Sequence, residues 1–284
     1  MKLLPTLCLA AFAFGLMSCA RKTARRDSHP AGPSAGLATA MARPMLRNQG
    51  VDLPVGSLPP GTKLSYTSIP GRGPFIAITY DDGPVVPNTP RLLDMLAARG
   101  IKATFFTVGA NVARNPNIMR RMVAEGHEIA NHTWTHPYLS KLGDASVRSE
   151  LQRSHEALTS ITGTAPRMYR PPYGAITARQ KEWIFSEYGY PTILWSVDPQ
   201  DWKTRNAATT RSRILTQTKP GAIILVHDIH PSSIDAMPGT LDGLLTKGFR
   251  FVTVSQLITI GGGGMLAKAS APAVNGPTFT PGSF

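Results

Sequence analysis

An α/β fold with largely parallel strands is predicted for this chain of 284 residues by three observations. Short apolar runs alternate with longer stretches of helical spacing. Most of the helical stretches stop at a glycine. Nearly every unusual cluster of polar residues falls at the C-terminal end of one of the apolar runs. The first two observations define repeated strand–helix units. The third locates function, because such units collect their working residues at the carboxyl ends of the strands, whether they close into a barrel or form an open doubly wound sheet.

In chain order, the runs read as strands are 75–80, 102–108, 127–131, 167–170, 192–196, 222–227 and 250–254. Most are short, apolar and bounded by turn-forming residues. Between them, 90–99, 116–125, 145–162, 177–188, 210–216 and 234–247 carry helical periodicity. Gly100, Gly126, Gly163, Gly189 and Gly248 then supply the stop, since glycine adopts the left-handed conformation that ends helices.

The ends read differently. Lys2 followed by an almost wholly apolar stretch from Leu3 to Met17 has the pattern of a secretory signal, and is too short to span a bilayer comfortably. Leu16-Met17-Ser18-Cys19 resembles the lipobox of bacterial lipoproteins, which implies lipidation of Cys19. The expected location is outside the cytoplasm, in the cell envelope as a periplasm-facing membrane lipoprotein, or secreted. The other cysteine, Cys8, lies inside the signal, so no internal disulfide is expected in the mature chain.

Residues 20–70 are rich in Pro, Gly, Ala and Ser and read as a linker, and 261–284 as a disordered tail. The folded body is thus expected at 71–260, following a signal at 1–19. Formal charge is +13. Part of that excess sits in Arg21, Lys22, Arg25, Arg26, Arg43 and Arg47, which face only Asp27, and reads either as a basic arm suited to anionic lipid or an acidic wall polymer or as a merely solvated linker. Nucleic acid is excluded as a partner for an exported chain.

The polar clusters carry the chemistry. The first strand runs into Asp81-Asp82-Gly83-Pro84. Adjacent residues leaving a strand point apart, so one carboxylate is free to bind a metal while the other faces a reacting water. The third runs into Asn131-His132-Thr133-Trp134-Thr135-His136, whose histidines would share one face of a helical turn. Asp plus two neutral imidazoles suits zinc or a similar divalent ion and leaves positions for water and substrate. The fourth ends in Arg170-Pro171-Pro172-Tyr173-Gly174, a stiff turn that holds a permanent cation and a backbone N–H near the strand ends. Asp198-Pro199-Gln200-Asp201-Trp202 follows the fifth, and Leu225-Val226-His227-Asp228 closes the sixth. A His–Asp pair across these ends would make a general acid. His230, close behind His227, either lines the mouth of the site or, as the favoured reading, lies at the surface or behind the site; His127 and His155 are read as structural, and Asn131 either supports the metal site or simply forms the turn.

In this order, the five clusters resemble the polysaccharide deacetylase family, also called the NodB-homology or carbohydrate esterase family 4 domain. Thr79-Tyr80-Asp81-Asp82-Gly83-Pro84 matches its first motif with tyrosine in place of phenylalanine. His132 to His136, Arg170 to Gly174, Asp198 to Trp202 and Leu225 to His227 match the other four. The resemblance implies a distorted (β/α) barrel with fewer strands than eight, in agreement with the seven counted. It implies Asp82, His132 and His136 as ligands of one divalent ion, zinc first, with cobalt, nickel or manganese as alternatives. It makes Asp81 the general base, oriented and kept ionised by Arg170, and His227 the acid that protonates the leaving nitrogen, held as the imidazolium by Asp201. The Tyr173 N–H would share the oxyanion charge, and Trp202 with Leu225 would wall a pocket for the acetyl methyl.

The activity implied is hydrolytic removal of N-acetyl groups from an amino-sugar polysaccharide. Peptidoglycan is the leading substrate, because a tethered basic envelope protein would meet it first; chitin-like polymers and poly-N-acetylglucosamine stay open. The alternatives are O-acetyl ester cleavage on acetylated xylan and a carbohydrate-binding module without catalysis.

Overall fold

The computed structural model describes residues 46–71 and 73–262. The expected signal, Cys19, most of the basic arm and nearly all of the tail lie outside the described residues.

The sheet is built around β2 (Phe75–Asp81), buried along its whole length, as expected of a central parallel strand covered on both faces. β3 (Thr104–Thr107) pairs with one edge of β2, and β4 (Glu128–Asn131) with β3. On the other edge lies β6 (Ile223–His227), in register from Ala77↔Ile223 to Asp81↔His227; β7 (Arg250–Phe251) pairs with Phe75 and Ile76 on the β3 side, where the Val252 N–H donates to the Ile76 carbonyl at 3.0 Å. β5 (Thr192–Ile193) pairs with the short β1 (Ser65–Tyr66). All of these pairings are parallel.

Single-residue bridges close the ring: Asn131↔Tyr169, Tyr169↔Thr192 and Val197↔Ile224. The result is a distorted (β/α) barrel. The strand expected over 167–170 is therefore one bridged residue, Tyr169, and that expected over 192–196 shrinks to two residues. Pro166, Pro171, Pro172 and Pro191 flank these segments and have no N–H to extend a ladder.

The helices are α1 (Asn88–Arg99), α2 (Gly109–Arg114), α3 (Pro116–Ala124), α4 (Asp144–Thr162), α5 (Ala178–Tyr188), α6 (Asp201–Thr204), α7 (Ala207–Gln217), α8 (Pro231–Thr246) and α9 (Val254–Gly261). The six expected helices correspond to α1, α3, α4, α5, α7 and α8. The two shortest, α2 and α6, escape a periodicity argument because they complete less than two turns. α9 opens with a reciprocal Thr253–Gln256 capping box, which ends the run expected to continue as strand to residue 254. Gly100, Gly163 and Gly189 take the left-handed conformation at the ends of α1, α4 and α5.

Alternation along the strands sorts the core into layers. Ile76, Ile78 and Tyr80 of β2, with Ile224 and Val226 of β6, face α1 and α8 through Leu92, Leu96, Met237 and Leu241. Phe75, Ala77 and Ile223 belong to the opposite layer with Phe106, Ala130, Ile193 and Leu257. The same alternation puts Thr79 and Asp81 of β2, and Leu225 and His227 of β6, on that second face.

The linker expectation fails from residue 46 onward. Val51, Leu53, Leu58 and Tyr66 pack on the second layer. The Asn48 side chain exchanges two hydrogen bonds with the Phe251 backbone, at 3.0 and 2.8 Å, and the Leu53 carbonyl accepts from Gln256 Nε2 at 2.7 Å. An extended segment buries scattered apolar residues without showing any period, so composition alone reads it as a tether.

Candidate active site

β2, β4 and β6 end at one level, and the five polar clusters meet there around a cleft of about 470 Å³. Asp81 is the last residue of β2, and its carboxylate faces Arg170, whose Nη1 donates to Asp81 Oδ1 at 2.6 Å. Arg170 is fully buried and also donates to Thr79 Oγ1 (2.8 Å) and to the carbonyls of Ile193 (3.0 Å) and Leu194 (3.1 Å). A buried guanidinium is tolerated when its donors are satisfied and a carboxylate pairs with it. Here the satisfied fork also ties β2 to the barrel's weakly paired side.

Asp82 has φ 76°, in the left-handed region, so its carboxylate diverges from that of Asp81. Asp82 Oδ1 lies 3.3 Å from His136 Nε2 and 3.4 Å from His132 Nε2. The two histidines are not on a helical turn, contrary to the spacing argument. They sit in a tight loop in which Thr133 (φ 67°) and His136 (φ 64°) are both left-handed. The Thr133 N–H donates to Asn131 Oδ1 at 2.8 Å and the His136 N–H to Thr133 Oγ1 at 3.1 Å. Asn131 thus shapes the loop through its amide, whose nitrogen also donates to the Leu151 carbonyl at 3.0 Å.

Opposite, His227 Nδ1 meets Asp201 Oδ1 at 2.9 Å, and Asp201 Oδ2 accepts from the His227 N–H (2.9 Å) and Ser233 Oγ (2.6 Å). Burial pushes His227 down, but the hydrogen bond and charge of Asp201, with Asp81 and Asp82 beyond, outweigh it and raise the imidazole to about 9. Burial likewise works to raise Asp201, and its bonds from His227 and Ser233 hold it below the ordinary carboxylate range. His227 is therefore an imidazolium at neutral pH. His136 is pushed the other way, to about 4, by burial and by His132, against the pull of Asp82 and Asp81.

Tyr173, Trp202 and Leu225 line the same cleft. Tyr173 is left-handed (φ 61°) within the 3-10 turn Pro172–Gly174, and its ring stacks on Tyr138 at 3.8 Å. Tyr173 and Trp202 are about half exposed, whereas Leu225 is buried. Every non-glycine residue with positive φ among the described residues (Asp82, Thr133, His136, Tyr173, Gln200 and Arg205) falls in or beside these clusters. Each such residue costs about 1–3 kcal/mol and persists where surrounding contacts over-determine it.

The polysaccharide deacetylase family model matches residues 69–193. The chain is 43% identical over 197 residues to a chitooligosaccharide deacetylase of Bradyrhizobium sp., covering 64% of this chain and 90% of that protein. The chain belongs to the polysaccharide deacetylase family.

It is also 41% identical over 182 residues to the peptidoglycan-N-acetylglucosamine deacetylase PgdA of Listeria monocytogenes. That match covers 64% of this chain and spans 38% of the relative's length. Among solved structures, the Bc1960 peptidoglycan N-acetylglucosamine deacetylase aligns with a TM-score of 0.67 and 37% identity, over 69% of this chain and 93% of that one.

Within this deacetylase fold, the Asp82–His132–His136 cluster fits a divalent cation. Their ligand atoms lie within 4.8 Å of one another. His132 Nδ1 lies 2.7 Å from the Arg170 carbonyl, so Nδ1 carries the hydrogen and Nε2 presents a lone pair. That lone pair and the His136 Nε2 converge on Asp82 Oδ1, a buried oxygen with no hydrogen-bond donor among the described residues. Three acceptors facing one another call for a cation, and the carbonyl behind His132 is the outer support that metal-binding imidazoles use.

Tyr138 and Trp195 were missed by reading the sequence; they line the cleft together with Pro171 of the third cluster and with His230, which stands in the cleft wall rather than at the surface or behind the site. Asp228, next to His227, is fully buried; burial and the Asp82 and Asp81 charges raise it to about 7, against the Thr89 hydroxyl that donates to it at 2.5 Å. Its oxygens sit against Gly83, at the place where a side chain there would begin. Position immediately after His227 was the only available signal for it. His127 and His155 lie elsewhere, bonded to the Ala103 N–H (3.2 Å) and Tyr190 hydroxyl (2.6 Å).

Proposed function

We propose that the protein is a metal-dependent hydrolase that removes N-acetyl groups from an amino-sugar polysaccharide, with peptidoglycan the first candidate and chitin-like oligosaccharides the second. One observation carries the reading: a three-ligand cation cluster lies in one cleft between a carboxylate fixed by Arg170 and an imidazolium fixed by Asp201. The names of the Listeria and Bradyrhizobium relatives support the choice of polymer. The ion we assign is zinc, which suits one carboxylate and two neutral imidazoles with an open position.

Bound there, the ion would polarise the acetyl carbonyl and acidify a water. Asp81 accepts the proton of the attacking water, and Arg170 keeps its carboxylate oriented while that happens. The Tyr173 N–H donates to the oxygen that becomes negative as the carbonyl carbon turns tetrahedral. His227 delivers its proton to the nitrogen as the C–N bond breaks, and Asp201 holds the ring in place. Leu225 and Trp202 enclose the acetyl methyl. Acetate and a free amine result.

We further assign the protein to the cell envelope, exported and held by a lipid on Cys19, where its basic arm would lie beside anionic wall polymer or lipid. No helix of the described residues is long and apolar enough to cross a membrane. The decisive assay is acetate release from peptidoglycan, chitin oligosaccharide and acetylated xylan by the zinc-loaded protein, with Asp81→Asn as control. Release from an amino-sugar polymer is expected. Release from xylan alone would make the protein an ester hydrolase, and release from none would leave a binding module.

A further inference from the structure

His230 lies three residues beyond His227 and forms part of the cleft wall with it, the ring centroids 6.0 Å apart. Its Nδ1 is 2.6 Å from Arg205 Nη1. A guanidinium only donates, so Nδ1 accepts, the ring is neutral and its hydrogen is on Nε2. Burial, then the charges of Arg205 and His227, hold His230 below its ordinary value against Asp201 and Asp82, in agreement with that state.

Among the described residues, Nε2 has no hydrogen-bond partner, and it is not one of the buried polar atoms that lack one. The residue is only 8% exposed and forms part of the cleft wall, and that cleft is where we place the opening of Nε2. Arg205 is itself held left-handed at φ 48°, and its Nε donates to the Trp202 carbonyl at 2.7 Å. One guanidinium thus ties the turn carrying Trp202 to the ring of His230.

We propose that His230 presents Nε2–H as a fixed hydrogen-bond donor to an oxygen of the sugar whose acetamido group occupies the cleft, and that Arg205 enforces this tautomer by occupying Nδ1. The proposal rests on the deacetylase reading for its substrate and assigns a binding role to a residue outside the five motifs. Such a contact is made before and during reaction alike, so its loss raises KM more than it lowers kcat.

Two variants separate this role from a merely structural one. A glutamine amide reaches the level of Nε2 and retains a donor there, whereas an asparagine carbonyl reaches only the level of Nδ1 and retains the acceptor for Arg205. With an N-acetylglucosamine tetramer, KM for His230→Asn is expected to exceed that for His230→Gln by about three- to tenfold, the worth of one neutral hydrogen bond. The reverse order would show that the ring only anchors Arg205, and would overturn the proposal.

A second measurement does not need turnover. Nitrogen-15 NMR of the zinc-loaded Asp81→Asn protein at pH 7 should show His230 protonated at Nε2 and bare at Nδ1, with Nε2 shifting when the tetramer is added. An imidazolium, an Nδ1–H tautomer or an Nε2 unmoved by the sugar would each refute the role. If acetate release fails while this shift appears, the hydrolase reading falls and the binding role stands.

Discussion

Replacing Asp201 with asparagine removes the charge that makes His227 an acid while leaving a side chain of the same shape. The imidazole stands at about 9 instead of 6.5, a gap equivalent to about 3 kcal/mol in favour of the charged form. In Asp201→Asn the new carbonyl would accept the His227 N–H, and the amide nitrogen would donate to Nδ1, which locks the ring neutral. Burial then acts unopposed by Asp201, so the pKa should fall to about 6.5 or below. At pH 7.5 the imidazolium fraction drops from nearly all to about a tenth or less, and kcat/KM should fall at least about tenfold.

The assay is a pH profile of acetate release between pH 5.5 and 10. The wild-type alkaline limb is expected near 9, where His227 loses its proton, and the variant's at about 6.5 or lower. Stability offers a second readout. A group whose pKa is raised on folding stabilises fully below its unfolded value and loses that contribution as pH rises through the folded one. Wild-type protein should therefore lose up to about 3 kcal/mol between pH 6.5 and 9 from this pair, and the variant should not. A folded Asp201→Asn protein whose alkaline limb stays near 9 would refute the assignment of His227 as an acid held charged by Asp201.

Three further outcomes are expected. Asp81→Asn should retain its metal, as elemental analysis would show, yet lose about 10²–10⁴ in kcat, the usual worth of a general base; activity near wild type would remove Asp81 from that role. His136→Ala should abolish stoichiometric zinc binding in equilibrium dialysis, a greater loss than the about 10–100-fold caused by deleting an outer support, and zinc should no longer raise its melting temperature. Gly83→Ala would place a methyl 2.3 and 2.4 Å from the two Asp228 oxygens. It should destabilise by about 1–3 kcal/mol in urea unfolding, and an unchanged midpoint would mean that this turn moves freely.

What could be read directly from the residues was local in character. A strand buried on both faces is an apolar run wherever it sits, so β2, β3, β4 and β6 were legible, as were the longer amphipathic helices and their glycine stops. Asp81, Asp82, His132, His136, Arg170, Asp201 and His227 were legible because each stands at a strand end or in a motif a few residues long. The wall-forming Tyr138, Trp195 and His230 belong to no such pattern; each differs from a surface aromatic or histidine only in what lies across the cleft.

Pairings between distant segments were decided by the tertiary structure alone. Tyr169 closes the barrel through one bridged residue on each side, too little backbone for any periodicity to show. Residues 46–70 join the body because Asn48, Leu53 and Tyr66 find partners up to 203 residues away. The left-handed turn at His136 and the tautomer of His230 were equally invisible in the chain. Each depends on a donor or acceptor brought in from elsewhere, and a chain encodes such contacts only through the fold that brings them together.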